Sequence, residues 1–463
     1  MADPAPRFDE LETLDLEAVF HPNTNLAALH RDGPDVLVRG RGIHVWDSRG
    51  RRYLEGMAGL WCTTLGYGEE ELVRVAQEQM RTLAFTHLFV GKSHEPAIRL
   101  AAKLADMAPF DAQRVLFGNS GSDANDTQIK LVWYYNNVVG RPRKKKIIAR
   151  QRGYHGTTIA TAGLTGLPAF HAHFDVPLPW VLHTDAPYHY RGAEPGESEE
   201  DYATRLAANL EALIEREDPD TIAAFIAEPM LGVGGVVLPP RTYFEKIQAV
   251  LEKHDIVLID DEVICGFGRT GEIWGAQTFG MRPTTLTCAK ALSSAYLPIS
   301  AVVVPEWLYE PIRDASDAVG QFAHGFTYSG HPVAAAVALR ALELYEERDL
   351  YGHVRRIAPQ FQTRLRALAT HPLVGDARGI GLVGGVELVR DKTTKAAFEP
   401  SARVGARAMA LCRQRGLIVR AVGDTIALCP PYIVTPDDVD EMFTLFEQGL
   451  NDTLDWARRE RLF

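Results

Sequence analysis

Short apolar runs alternate with amphipathic stretches through the middle of this chain. Runs of strand length lie at residues 115–117, 146–149, 222–227, 256–259, 286–288 and 299–304. The stretch between residues 202 and 217 instead repeats its apolar positions at helical spacing. Strands without polar alternation that alternate with helices are typical of a mainly parallel sheet covered on both faces. The pattern therefore predicts a large α/β domain over residues 60–328.

The pattern of apolar residues and turns changes toward the C-terminus. An alanine-rich helix is predicted over residues 332–348, and a short strand over residues 417–420 follows glycine-rich turns. Thr435 is a suitable N-cap for a last helix, because a proline follows it and acidic residues occupy the first turn. We expect a smaller α+β domain over residues 329–463, with the N-terminal segment 1–59 packing against it.

Composition narrows the class of protein. Of the 463 residues, 46% are hydrophobic and 24% are charged, which is typical of a globular protein. The chain has 49 basic and 60 acidic residues, so its net charge is −11. This negative charge favours neither nucleic acid nor anionic membranes as partners. Five cysteines without a CxxC pair argue against disulfides and a zinc site. No run of about 18 apolar residues and no signal or transit peptide is visible, so we expect a cytoplasmic enzyme.

One segment departs from this acidic balance. Residues 141–152 (RPRKKKIIARQR) are strongly basic and lie between a predicted helix and a predicted strand. We interpret them as a solvated connection, with a nucleic-acid patch as the less favoured alternative.

The first candidate for chemistry is the turn in residues 117–125 (FGNSGSDAN). A strand ends, a glycine- and serine-rich turn follows, and a helix begins. Unpaired backbone amides and the positive end of the helix dipole suit a phosphate there. The spacing does not match a dinucleotide fingerprint, a nucleotide P-loop or a hydrolase nucleophile elbow. The alternative is a capped helix start without any ligand.

Two further candidates lie at strand ends. Asp260, Asp261 and Glu262 follow an apolar strand, where ligands of a parallel sheet bind. Lys290 follows a later strand and is flanked by small residues. Each alone has an ordinary explanation, a capping acid or a surface lysine. Together, a phosphate turn, a carboxylate for a pyridine nitrogen and a lysine for an aldehyde are the protein parts of a pyridoxal 5'-phosphate (PLP) site.

These residues belong to longer motifs that resemble a known family. GNSGSDAND, GYHG, DEVICGFGRTG, AKALSSAYLPISA and HGFTYSGHPVA resemble, in order and spacing, the class III (ω-type) aminotransferases of PLP fold type I. The segments GLWCTTLGYG and GLIVRAVGD look most like those of amine–pyruvate and β-alanine–pyruvate transaminases. The resemblance implies a seven-stranded-type sheet in the large domain and a homodimer with shared active sites.

The resemblance also implies roles for the residues that hold the cofactor. Lys290 would bind the cofactor aldehyde covalently and later carry a proton between the substrate carbon and the cofactor carbon. Asp261 would pair with the pyridine nitrogen. Gly121 and Ser122 would bind the phosphate, joined by Thr327 of the partner subunit.

Further roles follow for the walls of the site. Tyr154 would stack on the pyridine ring, Val263 would pack on its other face, and Glu228 would lie near the phenolic side. Trp61 would wall the substrate pocket, and Arg420 would bind a substrate carboxylate. No metal is implied.

The implied activity is an ω-aminotransferase that works in two half-reactions. An amine or ω-amino acid donates the amino group, and a keto acid, which we expect to be pyruvate, accepts it. Alternatives are an aminomutase or a decarboxylating transaminase on the same cofactor, and, from another class, a non-catalytic α/β binding protein. One departure from the family is Asp123, where the family usually carries glutamate, and no role is assigned to it.

Overall fold

The computed structural model describes residues 9–463, so the part of the N-terminal prediction that falls on residues 1–8 lies outside the described residues. The strands are β1 (Leu37–Arg41), β2 (His44–Asp47), β3 (Arg52–Glu55), β4 (Arg114–Gly118), β5 (Lys146–Arg150), β6 (Val181–Thr184), β7 (Ile222–Ala227), β8 (Val257–Asp261), β9 (Thr285–Cys288), β10 (Ser300–Val304), β11 (Val374–Ile380), β12 (Val383–Leu388), β13 (Leu417–Ile418), β14 (Arg420–Val422) and β15 (Thr425–Leu428).

Helices cover and connect these strands. They are α1 (Glu10–Ala18), α2 (Leu26–Asp32), α3 (Ala58–Trp61), α4 (Glu70–Thr82), α5 (Glu95–Met107), α6 (Gly121–Val138), α7 (Ile159–Leu164), α8 (His189–Gly192), α9 (Glu199–Arg216), α10 (Tyr243–Lys253), α11 (Gly275–Phe279), α12 (Glu306–Val319), α13 (Pro332–Glu347), α14 (Leu350–Ala367), α15 (Val404–Gln414) and α16 (Pro436–Arg459). None of the helices within residues 9–463 has the length and apolar content that a membrane span requires.

The central sheet has seven strands in the order β4-β10-β9-β8-β7-β5-β6. Strands β9, β8, β7, β5 and β6 run parallel, which confirms the predicted α/β class. Strand β10 runs antiparallel to both β9 and β4. The chain returns from β9 to β10 through a short loop, whereas a parallel neighbour would need a longer crossover. Strand β6, with the polar His183 and Thr184, was not predicted.

Apolar helix faces cover this sheet on both sides. Helices α5, α9, α10 and α13 contribute Leu100, Leu210, Leu251 and Val337 to the largest buried cluster. Helices α6, α7 and α12 line the opposite face through two smaller clusters. The sheet is therefore buried on both faces, as parallel strands require.

Two four-stranded sheets lie beside the large one. Their orders are β1-β2-β3-β13 and β11-β12-β15-β14. The strand predicted over residues 417–420 is divided, because β13 pairs with β3 while β14 pairs with β15. The pairing of β13 with β3 brings the N-terminal segment to the C-terminal part, although the exact domain limits stay a prediction. Thr435 caps α16, and its Oγ1 accepts a hydrogen bond from the Asp438 amide at 3.2 Å.

The basic segment 141–152 is less solvated than predicted. Arg141 and Lys144 contact Asp255, and Lys144 is buried. Arg150 ends strand β5 and is fully buried. Much of the positive charge therefore faces acids and carbonyl groups of the chain itself.

Candidate active site

The carboxyl ends of the parallel strands meet at one edge of the large sheet, and a cavity of about 420 Å³ opens there. Because β10 runs antiparallel, its first residue, Ser300, lies at the same edge and pairs with Gly118 at the end of β4. The predicted site residues that line the cavity are Gly121, Ser122, Tyr154, Glu228, Asp261, Val263 and Lys290. Trp61, Thr327 and Arg420 are not part of its lining.

The predicted phosphate turn has the geometry of a capped helix start. Helix α6 begins at Gly121, and the Oγ of Ser120 accepts a hydrogen bond from the Asp123 amide at 3.2 Å. The amides of Gly121 and Ser122 have no hydrogen-bond partner within the described part of the chain. A Cβ at position 121 would lie 3.0 Å from a Val263 methyl group, so glycine permits this close approach. The turn therefore offers two free donors to the cavity.

Asp261 is held by residues from two other elements. Its Oδ2 accepts hydrogen bonds from Asn125 Nδ2 at 2.8 Å and from the ring of His155, also 2.8 Å away. Its Oδ1 accepts the Val263 amide at 3.2 Å. Asn125 and His155 were missed as site residues, although both lie inside the quoted motifs GNSGSDAND and GYHG. Buried and hydrogen-bonded in this way, the carboxylate has a fixed orientation in the cavity.

The two neighbouring acids face elsewhere. Asp260 and Asp261 are consecutive residues of β8, so their side chains point to opposite faces of the sheet. Burial raises the pKa of Asp260, and Glu262 accepts the amides of Gly275 and Ala276. Of the three acids predicted at this strand end, only Asp261 lines the cavity.

Lys290 begins a short 3₁₀ turn directly after β9. Its φ of +50° lies in the left-handed region, which costs a non-glycine residue about 1–3 kcal/mol and is typical of functional sites. Burial lowers the pKa of the Lys290 ammonium, while the nearby Asp261 opposes that change. A lowered pKa increases the fraction of free amine, which is the form that attacks a carbonyl.

Glu228 and Tyr154 form one unit in the cavity wall. Glu228 Oε1 accepts the Tyr154 amide at 2.9 Å, and its Oε2 accepts the Gly232 amide at the same distance. Burial raises the pKa of Glu228 and also that of the Tyr154 phenol. The Tyr154 ring meets Phe170 edge to face at 5.4 Å. Glu228 thus fixes the backbone that presents the Tyr154 ring.

Trp61 and Arg420 are the residues predicted for the substrate side of the site. Trp61 is buried in a cluster with Met57 and Ile264, against which Tyr154 also packs. Arg420 is half-buried, and its positive charge opposes the rise in the pKa of Tyr154. The Asp424 Oδ1 accepts the Gly405 amide at 2.8 Å rather than a hydrogen bond from Arg420.

Thr327 lies on an exposed loop away from the cavity of its own chain. His324 fastens this loop to α6, since its ring nitrogens lie 2.9 Å from Thr127 Oγ1 and 2.8 Å from Lys130 Nζ. Burial and the charge of Lys130 lower the pKa of His324 to about 4. The ring is therefore neutral at pH 7, accepting from Lys130 and donating to Thr127.

Comparison with known proteins identifies the family. Residues 28–450 match the family "Aminotransferase class-III". Gamma aminobutyrate transaminase 1, mitochondrial, of Solanum lycopersicum is 51% identical over 91% of this chain and 82% of its own length. The ω-transaminase of Pseudomonas jessenii in complex with PMP is 49% identical, with a TM-score of 0.95 over 97% of this chain and 99% of that one. A structure described as "Transaminase with L-ala" is 54% identical, with a TM-score of 0.90 over 91% of this chain and 100% of that one.

Class III aminotransferases use PLP, and the cavity suits that cofactor. A fixed carboxylate at Asp261, a lysine with a lowered pKa at Lys290 and two free amides at Gly121 and Ser122 lie around one space. These groups match a pyridine nitrogen, an aldehyde and a phosphate. The chain therefore belongs to the class III aminotransferases and is a PLP-dependent enzyme that transfers amino groups.

Proposed function

We propose that this enzyme is an ω-aminotransferase that moves the amino group of an amine or ω-amino acid to pyruvate in two half-reactions. The observation that supports it most directly is the cavity that Lys290 and Asp261 share, together with a half-buried Arg420 outside the cavity lining. No acidic side chain in residues 9–463 forms a salt bridge with Arg420. Its guanidinium is thus available for the carboxylate of a keto acid.

The positions of the residues support the following roles. When bound, PLP supplies an electron sink for the bond that breaks at the substrate carbon. The Lys290 amine would bind the aldehyde. Once released, it would carry the proton from the substrate carbon to the cofactor carbon in the first half-reaction and back in the second. Asp261 keeps a positive charge on the pyridine nitrogen, and Asn125 and His155 hold its carboxylate in place. The amides of Gly121 and Ser122 bind the phosphate.

The other predicted residues would orient the cofactor ring and the substrate. Tyr154 would stack on the pyridine ring, with Val263 on its other face and Glu228 at the phenolic side. Trp61 and Arg420 lie outside the cavity lining, where Trp61 would limit the size of the amine and Arg420 would bind the carboxylate of the acceptor. Because an amine donor can lack an α-carboxylate, a cation without a fixed partner serves both half-reactions.

The names of similar proteins support the choice of donor and acceptor. One structural neighbour is described with L-ala, the amino form of pyruvate, and the plant relatives are named for γ-aminobutyrate, an ω-amino acid. We propose pyruvate as acceptor and an ω-amino acid or amine as donor. A panel of γ-aminobutyrate, β-alanine, diamines and aryl amines, each with pyruvate or 2-oxoglutarate, tests this. Consumption of 2-oxoglutarate in preference to pyruvate would contradict the acceptor.

The same panel separates other PLP reactions from transamination. Consumption of one keto acid for each amine supports transamination. Release of carbon dioxide would indicate a decarboxylating transaminase, and rearrangement of the amine without a keto acid would indicate an aminomutase. A colourless purified protein that takes up no PLP would contradict PLP chemistry altogether.

We propose that the active unit is a homodimer in which Thr327 of the partner subunit completes the phosphate site. Thr327 is exposed in the single chain, as are the nearby Tyr328 and Phe89. Mixing an inactive Lys290→Ala chain with an inactive Thr327 variant tests the idea. Each heterodimer would regain one complete site, so activity returns after subunit exchange. Verified exchange without recovery would contradict the shared site.

We also propose a cytoplasmic location. The plant relatives are named mitochondrial or chloroplastic, so a fluorescent fusion of the full chain is the direct test.

A further inference from the structure

We propose that Asp123 is a positioning residue for the cofactor phosphate. Its carboxylate takes the first two amides of the turn and leaves the amides of Gly121 and Ser122 to the phosphate. The inference rests on the proposed function of this turn. Asp123 is also the residue that stands where the family usually carries glutamate.

The Asp123 carboxylate contacts two backbone amides and one hydroxyl group. Asp123 Oδ1 accepts the Ser120 amide at 3.1 Å and the Ser300 hydroxyl at 3.1 Å. The Asn119 amide lies 3.2 Å from Oδ1 and 3.0 Å from Oδ2. One side chain thus joins the turn after β4, the first turn of α6 and the start of β10.

The turn has room for this carboxylate because residue 118 is glycine. A Cβ at Gly118 would lie 2.4 Å from Asp123 Oδ1 and 2.6 Å from the Ser300 hydroxyl oxygen. The carboxylate therefore occupies the space that any other side chain at position 118 would take. Gly118, Asp123 and Ser300 form one interlocked group behind the phosphate turn.

These contacts divide the backbone donors of the turn into two sets. The amides of Asn119 and Ser120 are used by Asp123, and the Asp123 amide is used by the Ser120 hydroxyl. The amides of Gly121 and Ser122 are the ones that line the cavity without a partner in residues 9–463. An oxyanion is bound best by donors that are already oriented, so fixing the first set orients the second.

The charge of the same carboxylate acts against phosphate binding. A negative charge close to a phosphate is repulsive, and removing it would free two more amide donors for the anion. If repulsion dominated, loss of Asp123 would tighten phosphate binding. If positioning dominates, loss of Asp123 weakens it, so the sign of the change distinguishes the two.

The chain contains a matched control for the cap itself. Helix α16 begins with the same kind of capping box, in which Asp438 accepts the Thr435 amide at 2.8 Å and donates its own amide to Thr435. Asp438 is remote from the cavity lining. Asp438→Ala therefore measures the loss of a capping aspartate without any effect on a phosphate.

The experiment titrates the full-length apoprotein with PLP and with pyridoxal, which lacks the phosphate. For Asp123→Ala we expect a Kd for PLP about ten- to a hundred-fold higher than that of the wild type, as for loss of hydrogen bonds to a charged group. The Kd for pyridoxal stays unchanged. Asp438→Ala leaves both constants unchanged, and Asp123→Glu, which keeps the charge, restores most of the PLP affinity.

Several results would overturn the inference. Unchanged or tighter PLP binding by Asp123→Ala shows that the carboxylate only caps the helix or repels the phosphate. Equal weakening of PLP and pyridoxal shows a general structural effect. If Asp123→Ala does not fold, a Ser300→Ala variant, which removes one contact of the same carboxylate, must show a smaller loss confined to PLP. A wild-type protein that binds no PLP would contradict the proposed function instead, whatever the variants do.

Discussion

The two sides of the cavity are built in different ways. On the cofactor side, the Asp261 carboxylate accepts three hydrogen bonds, and Asp123 ties the phosphate turn to strand β10. On the substrate side, Arg420 lies on a three-residue strand next to Gly423, whose φ is +56°, and forms no salt bridge with residues 9–463. Hydrogen bonds from several elements fix the charged groups of the cofactor side, whereas the charge on the substrate side has no fixed partner.

The difference follows from what each side must bind. The cofactor presents the same phosphate and pyridine nitrogen in both half-reactions, so rigid partners stabilise the charges without rearrangement. The substrate side must accept an amine and then a keto acid, which differ in charge. A permanent ion pair at Arg420 would have to be broken for the acceptor, at a cost comparable to the bond gained. The comparison predicts that variants on the cofactor side affect every substrate equally, whereas variants on the substrate side discriminate among them.

Lys290→Ala should have the largest effect. The variant keeps the phosphate turn and so still binds PLP, but the half-reaction rate with every amine falls by on the order of 10³-fold or more, because both the covalent link and the proton carrier are lost. Stopped-flow absorbance measures this rate. In the wild type, borohydride reduction followed by mass spectrometry should place the cofactor on Lys290, and an adduct on another lysine would contradict the assignment.

Asp261→Asn should have the next largest effect. A carboxylate about 4 Å from a pyridinium contributes roughly 4 kcal/mol at an effective dielectric of 20, so we expect a loss of about 10²- to 10³-fold in the half-reaction rate with all amines. Asp260→Asn is the matched control, because that side chain is buried on the other face of β8. An active Asp261→Asn enzyme beside an inactive Asp260→Asn enzyme would mean that the wrong acid was identified.

Arg420→Ala tests the substrate side directly. Loss of one charged hydrogen-bonded pair should raise the KM for pyruvate about ten- to a hundred-fold. The half-reaction with an uncharged aryl amine should barely change, because that substrate offers no carboxylate. Steady-state kinetics with pyruvate and single-turnover kinetics with the amine measure the two effects. Equal losses for both substrates would assign Arg420 to the fold or to the cofactor.

The sequence predicted the cofactor side better than its surroundings. Asp261 and Lys290 could be predicted because Asp261 ends an apolar strand and Lys290 lies two residues after the end of another, and strand ends of a parallel sheet meet at one edge. Asn125 and His155 were missed because they reach Asp261 across 136 and 106 residues of sequence, a contact that no local pattern encodes.

Local sequence patterns were also insufficient to predict some strand pairings of the fold. The apolar run at residues 299–304 predicted a strand but not its antiparallel direction, which depends on the short return from β9. The division of residues 417–420 between two sheets arises because Leu417 pairs with the distant Leu54, whereas Arg420 pairs with Ala427 in a local antiparallel pair of strands. Periodicity identifies the element, and tertiary pairing decides its neighbour.

The smallest effect that we predict concerns Glu55, a buried acid next to the loop that carries Trp61. Its carboxylate accepts the Met57 amide at 2.9 Å and supports the loop that carries Trp61, whose φ is +66°. The Tyr67 hydroxyl donates to the same carboxylate at 3.4 Å. The Glu55 carboxylate is thus one of the polar groups that hold this loop in place.

Burial raises the pKa of Glu55 from 4.5 to about 7 in the folded protein. The folded state therefore binds a proton more tightly than the unfolded state. The stability from this proton is fully present below pH 4.5 and is lost as the pH rises through about 7. Glu55→Gln keeps the shape and does not titrate, so its advantage over the wild type in the free energy of unfolding should be about 1–3 kcal/mol greater at pH 8 than at pH 5. Denaturant unfolding at the two pH values measures the difference, with the exposed Glu17→Gln as control. Stability curves of wild type and Glu55→Gln that stay parallel from pH 5 to pH 8 would show that Glu55 is already charged in the folded protein.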